Sequence, residues 1–489
     1  MSSNTRAALA WSFLDRYLGL LVSLATSMVL ARLLTPAQVG IFSLCAAVLD
    51  VAATVRDFGV SEYIIQEREL DHAKLRSAFA VAIATAWPIG ALVFVSRSAL
   101  ASYYNEPQLA ELIAILSLSF VILPLSSPAF ALLNREMAFR KILVVQVAAV
   151  LAGSAVSLIL AARGHGAHSL AWGSVAGIAM HGLVLAVMRS KDTFLIPNFR
   201  GSRRIFRFGF LQASSRVLET ATSNAHEFVI ARAFGFTEVG LFSRAKGLVD
   251  MFHSNVTGAI ARVATPDMAV AVREERTLVH TFARGTAILS CVSWAFFGFL
   301  ALVAPELIRL MFGPQWDRAG PIASLLSLAM LPTALFALSG SVMAAMGQVG
   351  RRLRITFGWC PVHLVVLGVC AGLDLGLEVL AIAWTLTNLC IAALFTRELR
   401  VLMRTTLREM YRPTLASVPV ALASVGAQFL VLQEARATGL GLLPLLLAVA
   451  AAGALAWWLV VRLTHHPVNQ ELERVVERVR QSLTRRRSA

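Results

Sequence analysis

Apolar runs of about twenty residues, separated by short polar segments, recur along the whole chain. Each is long enough to cross the roughly 30 Å hydrocarbon core of a bilayer at about 1.5 Å of rise per residue. Fourteen runs are read, at 9–33, 39–60, 78–96, 109–131, 142–162, 169–188, 207–231, 239–262, 283–303, 321–345, 355–373, 378–396, 413–432 and 439–462. Those centred on Phe120 and Gly368 are clean, whereas 207–231 and 239–262 are diluted by polar residues. The pattern predicts an all-α polytopic membrane protein with about 14 transmembrane helices. The apolar stretch after Met1–Leu9 is too long for the hydrophobic region of a secretory signal and lacks a small-residue cleavage site, so the first run is expected to remain as a helix.

Composition agrees with the pattern. Hydrophobic residues make up 57% of the 489 and charged residues 15%, with mean hydropathy +0.70, which excludes an ordinary soluble globule. The five cysteines, Cys45, Cys291, Cys360, Cys370 and Cys390, all fall in apolar segments without metal-ligand spacing. Neither a disulfide framework nor a metal or cofactor site is expected. His165 and His168 share a short Gly-rich loop and are read as solvated.

The net charge of +16 invites a nucleic-acid reading, but its distribution argues against one. Alternate loops carry clusters such as Arg135, Arg140 and Lys141, or Arg351, Arg352 and Arg354, while the intervening loops hold one or two basic residues each, such as Arg163 and Arg436. This bias predicts that both termini lie in the cytoplasm. In the tail 464–489, Leu472, Val475, Val476, Val479 and Leu483 recur at helical spacing among arginines. An amphipathic basic helix lying on the anionic inner leaflet is expected there.

The chain also resembles itself. Ala31-Arg32 and Val39-Gly40-Ile41-Phe42-Ser43 align with Ala231-Arg232 and Val239-Gly240-Leu241-Phe242-Ser243 at an offset of 200. Without a gap, Arg16 falls on Arg216 and Asp50 on Asp250. A parallel repeat of six helices follows, giving two pseudo-symmetric lobes. The expected organisation is an N-lobe at 1–188 with helices 1–6, a basic cytoplasmic linker at 189–206, and a C-lobe at 207–400 with helices 7–12. Two extra helices follow at 401–463, and then the tail.

Charges inside apolar runs are costly and usually face a wet cavity. Arg16, Arg56, Arg216, Arg244 and Lys246 are such residues and are candidate contacts for an anionic substrate. Arg216 has Glu219 three residues on and Lys246 has Asp250 four residues on, so a structural ion pair competes with substrate contact at both. Arg16, Arg56 and Arg244 have no acid at those spacings. They must meet an acid on another helix, extend to the membrane surface, or bind a ligand. Asp50, Asp57, Glu219 and Asp250 are candidates for proton or cation coupling, and counter-ions for the arginines are the plainer reading. Asp15 and Glu227 belong to the same class. Pro124, Pro128, Gly209, Pro332 and Gly340 are expected to kink or loosen their helices.

Five segments carry a family resemblance: Arg32-Leu-Leu-Thr-Pro36-Ala-Gln-Val-Gly40, Asp57-Phe-Gly59-Val60, Asn134-Arg-Glu-Met-Ala-Phe-Arg140, Gly240-Leu-Phe-Ser-Arg244-Ala and Phe312-Gly-Pro-Gln-Trp316. Over about residues 10–400 the chain resembles the polysaccharide transporter family, the Wzx-like flippases of the multidrug/oligosaccharidyl-lipid/polysaccharide superfamily. The resemblance implies a V-shaped bundle that turns a polyprenyl-pyrophosphate-linked oligosaccharide from the inner to the outer leaflet of the bacterial inner membrane. O-antigen, capsule and exopolysaccharide are the pathways it implies, and a polysaccharide polymerase is a candidate partner. It also places Arg16, Arg56 and Arg244 on the helices whose arginines line the cavity of the related lipid II flippase.

Bidentate hydrogen bonds from arginine suit a pyrophosphate. A cation-coupled drug or metabolite antiporter of the same superfamily is the nearest rival, and would need acids to dominate the cavity. A membrane glycan polymerase or ligase is the rival from another class. It would need a large external loop, and no external loop exceeds about twenty residues. A passive scaffold would not retain so many buried charges. The expectation is a transporter rather than an enzyme.

Overall fold

The computed structural model describes residues 3–57, 59–193, 195–199, 202, 216–274, 277–471 and 473. Every regular element among them is helical. The expected amphipathic segment of the tail, with Leu472 and Val475–Leu483, and residues 207–215 of the seventh predicted run lie outside the described residues.

The chain forms two compact units, Met1–Ser243 and Arg244–Ala489. The first holds α1 (Ser3–Leu33), α2 (Pro36–Arg56), the short α3 (Val60–Gln66), α4 (His72–Tyr104), α5 (Gln108–Arg135), α6 (Phe139–Ala162), α7 (Ala167–Met188) and α8 (Ala225–Ala233). The division falls inside α9 (Phe236–Arg273). The second unit continues with α10 (Leu278–Phe312), α11 (Ala319–Ala329), α12 (Thr333–Phe336), α13 (Ser339–Ala345), α14 (Val349–Gly372), α15 (Gly376–Met403), α16 (Leu407–Tyr411), α17 (Ser417–Ala437) and α18 (Leu442–Leu463).

Among the described residues, eleven helical segments are long and apolar enough to cross a membrane, and they coincide with predicted runs two to six and nine to fourteen. The other three predicted runs each include positions whose backbone or side chain lies outside the described residues; of α1, the described stretch Tyr17–Leu33 is apolar, and the seventh and eighth runs carry Arg216, Glu219, Glu227, Arg244, Lys246 and Asp250. The polar dilution visible in the sequence is concentrated where the candidate site residues lie.

Local signals set the helix ends. Thr35 caps α2, accepting from the Gln38 backbone N–H while the Gln38 side chain accepts from the Thr35 N–H, and Pro36 occupies the first turn, where its missing N–H costs nothing. Arg135 explains part of the Asn134–Arg140 motif. Its guanidinium donates to the carbonyls of Ile64, Glu67 and Arg68, satisfying acceptors that the end of α3 leaves open. Pro332 sits at the break between α11 and α12, as expected of a residue that cannot continue the hydrogen-bond ladder. Pro124 and Pro128 instead stay inside an uninterrupted α5.

Helix crossings in the first unit use small residues, which membrane helices need because lipid is as apolar as leucine. Gly153 of α6 packs against the backbone of Gly173 and Gly177 of α7, and Gly90 of α4 receives Phe120 of α5. The closest approach joins positions matched by the sequence repeat. A Cβ added at Gly40 would lie 1.8 Å from the Phe236 carbonyl oxygen, and one at Gly240 would lie 2.0 Å from the Pro36 carbonyl oxygen. One turn on, the hydroxyls of Ser43 and Ser243 share a 2.8 Å hydrogen bond. The first turns of α2 and α9 therefore touch through equivalent atoms.

In the second unit, α17 and α18 pack on α10 through Val303, Leu432, Leu445 and Val449. Trp457 Nε1 donates to the Cys291 carbonyl at 3.0 Å. The two helices outside the repeat thus form part of this unit's core.

Just beyond α18, His466 is fully buried. The Ser417 hydroxyl donates to the Ala287 carbonyl, so the His466 Nε2–H must donate to Ser417 Oγ at 3.0 Å, and Nδ1 accepts from the Val468 N–H. Burial pushes the pKa of this neutral ring down to about 4. The unfolded chain, with histidine near 6.5, binds this proton first as pH falls. Stability from this site is complete above about pH 6.5 and is lost progressively towards pH 4. Thermal unfolding in detergent at pH 7.5, 6 and 5 should therefore show a falling midpoint in the wild type. His466→Ala should be less stable at neutral pH and lose that component of the slope; an unchanged slope sinks the assignment.

Candidate functional site

An open cavity of about 480 Å³ lies within the first unit, its polar wall formed by Asp50, Arg56, Ser119, Asn224 and Glu227 with Phe120 beside them. The C-terminal half of α2 supplies Asp50 and Arg56, one face of α5 supplies Ser119 and Phe120, and the start of α8 supplies Asn224 and Glu227. A smaller cavity of about 250 Å³ is lined by Thr54, Asp57, Arg216, Glu219 and Thr220. The hydroxyls of Thr54 and Thr220 meet there at 3.1 Å.

Arg56 is the basic side chain of the larger cavity. It is the last residue of α2, and its Nε and Nη2 both reach Asp57 Oδ1 at 2.8 Å. Its guanidinium carbon lies 5.3 Å from the centre of the Phe120 ring, a cation–π distance. The spacing rule for helical neighbours misses the Asp57 pair because the helix stops between the two residues, so adjacent side chains can meet. Asp57 is 60% exposed and Arg56 only 13%. The pair is therefore open on the acidic side.

The other candidates separate. Arg216 reaches Glu62 of α3 at 3.2 Å, a partner distant in sequence, while Glu219 lines the smaller cavity with it. Lys246 pairs with Asp250 one turn on, as the spacing predicts, and its ammonium lies 6.0 Å from the Trp384 ring. Arg244 lines neither cavity. Its guanidinium sits over the rings of Phe312 and Trp316, at 5.3 and 5.4 Å from their centres. That stacking joins two of the sequence motifs, Gly240–Arg244 and Phe312–Trp316, into one packing unit around a fully buried tryptophan. The side chains of Asp15 and Arg16 lie outside the described residues.

Asp50 accepts from Asn224 Nδ2 at 2.8 Å. Glu227 is buried, with Oε1 at 3.5 Å from His226 Nε2. Sequence reasoning passed over Asn224 and His226. The available signal was their spacing: Asn224, His226 and Glu227 fall within one turn of the polar-diluted run 207–231.

A model of a family described as "Polysaccharide biosynthesis protein" matches residues 29–321, which hold both cavities and the Arg244 stack. The chain belongs to that family. The chain is also similar to the lipopolysaccharide biosynthesis protein WzxC of Escherichia coli, 24% identical over 76% of this chain and 77% of the relative. The teichuronic acid biosynthesis protein TuaB of Bacillus subtilis is 26% identical over 68% of this chain and 69% of its own. The succinoglycan biosynthesis transport protein ExoT of Rhizobium meliloti is 25% identical over 65% and 64%.

Among solved structures, the lipid II flippase MurJ in an inward closed conformation covers 93% of this chain and 99% of its own, with a TM-score of 0.74 at 11% identity. A multidrug resistance MATE transporter of the MOP superfamily, inward-facing, covers 81% and 98% with a TM-score of 0.65 at 17% identity. The fold is that of this superfamily, and the chain is a Wzx-like, multi-pass membrane protein of polysaccharide biosynthesis.

Proposed function

We propose that this protein is a flippase that carries polyprenyl-pyrophosphate-linked oligosaccharide units from the inner to the outer leaflet of the bacterial inner membrane. It works by alternating access of lobes 1–188 and 207–400, with both termini in the cytoplasm and the basic tail 464–489 on the anionic leaflet. The exported units supply O-antigen, capsule or exopolysaccharide synthesis, with a polysaccharide polymerase as the next partner. The observation that carries this reading is the placement of Arg56 on the wall of the larger cavity, inside the family-matched segment.

A guanidinium there offers paired donors to a phosphate. Phe120 offers an aromatic face, and Ser119, Asn224 and Asp50 offer hydrogen-bonding groups for sugar hydroxyls. Arg16 and Arg216 are the further basic candidates for contact with the pyrophosphate. The anionic substrate is accommodated by these bases acting against nearby acids rather than by a uniformly cationic wall.

The deciding experiment is complementation of a strain lacking its own Wzx-type transporter. Expression of this chain should restore surface glycan and clear the lipid-linked precursor that accumulates in the inner leaflet. Restored resistance to organic cations without restored glycan would instead favour a cation-coupled antiporter, a reading supported by the two carboxylates of the larger cavity, Asp50 and Glu227.

A further inference from the structure

The larger cavity is built to sort sugars as well as to hold an anion. Its volume of about 480 Å³ falls within the roughly 300–1,000 Å³ of an ordinary small-ligand pocket. A lipid-linked oligosaccharide is larger than that, so the cavity grips one part of it. With a diphosphate at Arg56, that part is the sugar bonded directly to it. Asp50 lies six residues before Arg56 on α2, about 9 Å along the helix at about 1.5 Å of rise per residue. Both side chains line the same cavity.

At the Asp50 end the wall is made largely of acceptors. Asp50 is exposed, and Asn224 Nδ2 donates to its Oδ2 at 2.8 Å, which leaves Oδ1 for a further donor. The Glu227 side chain is only 9% exposed and stands on the cavity wall. Its Oε1 lies 3.5 Å from His226 Nε2, and its Oε2 has no hydrogen-bond partner among the described residues. A buried polar oxygen left unmatched is costly, and a carboxylate accepts hydrogen bonds without donating them. Arg56 is the one basic side chain on the described wall, and it is turned onto Asp57 rather than towards these two acids. Ser119 and Ser174 add hydroxyls that serve either kind of partner. The unmatched oxygens therefore call for O–H or N–H donors on the ligand and repel a further carboxylate.

We propose that Asp50 and Glu227 are the specificity residues for the sugar next to the diphosphate. They admit a neutral or amino sugar, whose hydroxyl, amide or amine hydrogens they accept, and they reject a sugar that carries a carboxylate. The inference rests on the transport reading above. Recognition is divided along α2 and α8: the base holds the phosphate and the acids sort the sugar. Selection of this kind comes from the penalty on the wrong ligand as much as from contacts to the right one.

The test measures binding to the full chain in lipid nanodiscs by calorimetric titration. Three short-chain isoprenyl diphosphate probes are compared: one bare, one carrying N-acetylglucosamine and one carrying glucuronic acid. The wild type should bind the N-acetylglucosamine probe about tenfold or more tighter than the glucuronic acid probe. Asp50→Asn and Glu227→Gln should each narrow that ratio to about threefold or less, chiefly by admitting the acidic probe. Glu227→Asp, which keeps the carboxylate, should retain most of the discrimination. Because each ratio is taken on one protein sample, a smaller folded fraction does not alter it. A wild type that binds both sugar probes equally, or a ratio unchanged in both Asp50→Asn and Glu227→Gln, overturns the proposal. The bare probe separates the two levels. If it binds while the sugars are not distinguished, this proposal alone falls; if none of the three binds, the flippase reading falls and the proposal with it.

Discussion

Replacing Arg56 by alanine should lower glycan export about tenfold or more while leaving the amount of protein in the membrane unchanged. A charge-assisted hydrogen bond to a phosphate is worth about 1.5–3 kcal/mol, and each 1.4 kcal/mol is about a factor of ten in affinity. The loss should not spread to stability, because the acid left behind, Asp57, is 60% exposed and finds water. Arg56→Lys should recover only part of the export, since an ammonium lacks the planar pair of donors.

Arg244→Ala gives the contrasting result. Its guanidinium stacks on Phe312 and the buried Trp316, so its removal should lower the thermal midpoint in detergent, and export should fall only as the folded fraction falls. Surface glycan, precursor accumulation and detergent melting measured on the same variants separate the two. Normal export by Arg56→Ala at wild-type protein levels would remove this residue from the substrate path.

The helical architecture was legible in the sequence because membrane spanning imposes length and apolarity on every segment. Among the described residues, eleven predicted runs match helical segments that meet both conditions. The partners of the site's charges were legible only when they shared a helix. Lys246 and Asp250 were read from spacing alone. Arg216 meets Glu62 across more than 150 residues, and Arg56 meets its immediate neighbour at a helix end, so neither pair follows from helical periodicity. Arg244 was read as a candidate ligand contact because no acid lies at helical spacing; it sits on aromatic rings that no charge rule would find. The repeat was more informative than its identities alone imply, since the matched positions Gly40 with Gly240 and Ser43 with Ser243 are those at which α2 and α9 meet.

That meeting point sets the largest expected effect on stability. Gly40→Ala or Gly240→Ala should destabilise the protein by about 1–3 kcal/mol, the usual cost of overpacking a filled site. The obstructing atoms are the backbone carbonyl oxygens of Phe236 and Pro36, which cannot turn aside as a side chain would, so two helix starts must separate to admit one methyl group. Separation would also stretch the Ser43–Ser243 hydrogen bond one turn away. Gly247, on the same α9, is the internal control: nothing lies within 4 Å of a Cβ placed there, and Gly247→Ala should stabilise the helix by about 0.5–1 kcal/mol. Detergent melting of the three single variants tests the pattern. The double variant Gly40→Ala/Gly240→Ala should lose less than the sum of the singles, because helices already parted by one methyl group accommodate the second at lower cost. Equal melting of Gly40→Ala and Gly247→Ala would show that the two helix starts do not touch in the folded protein.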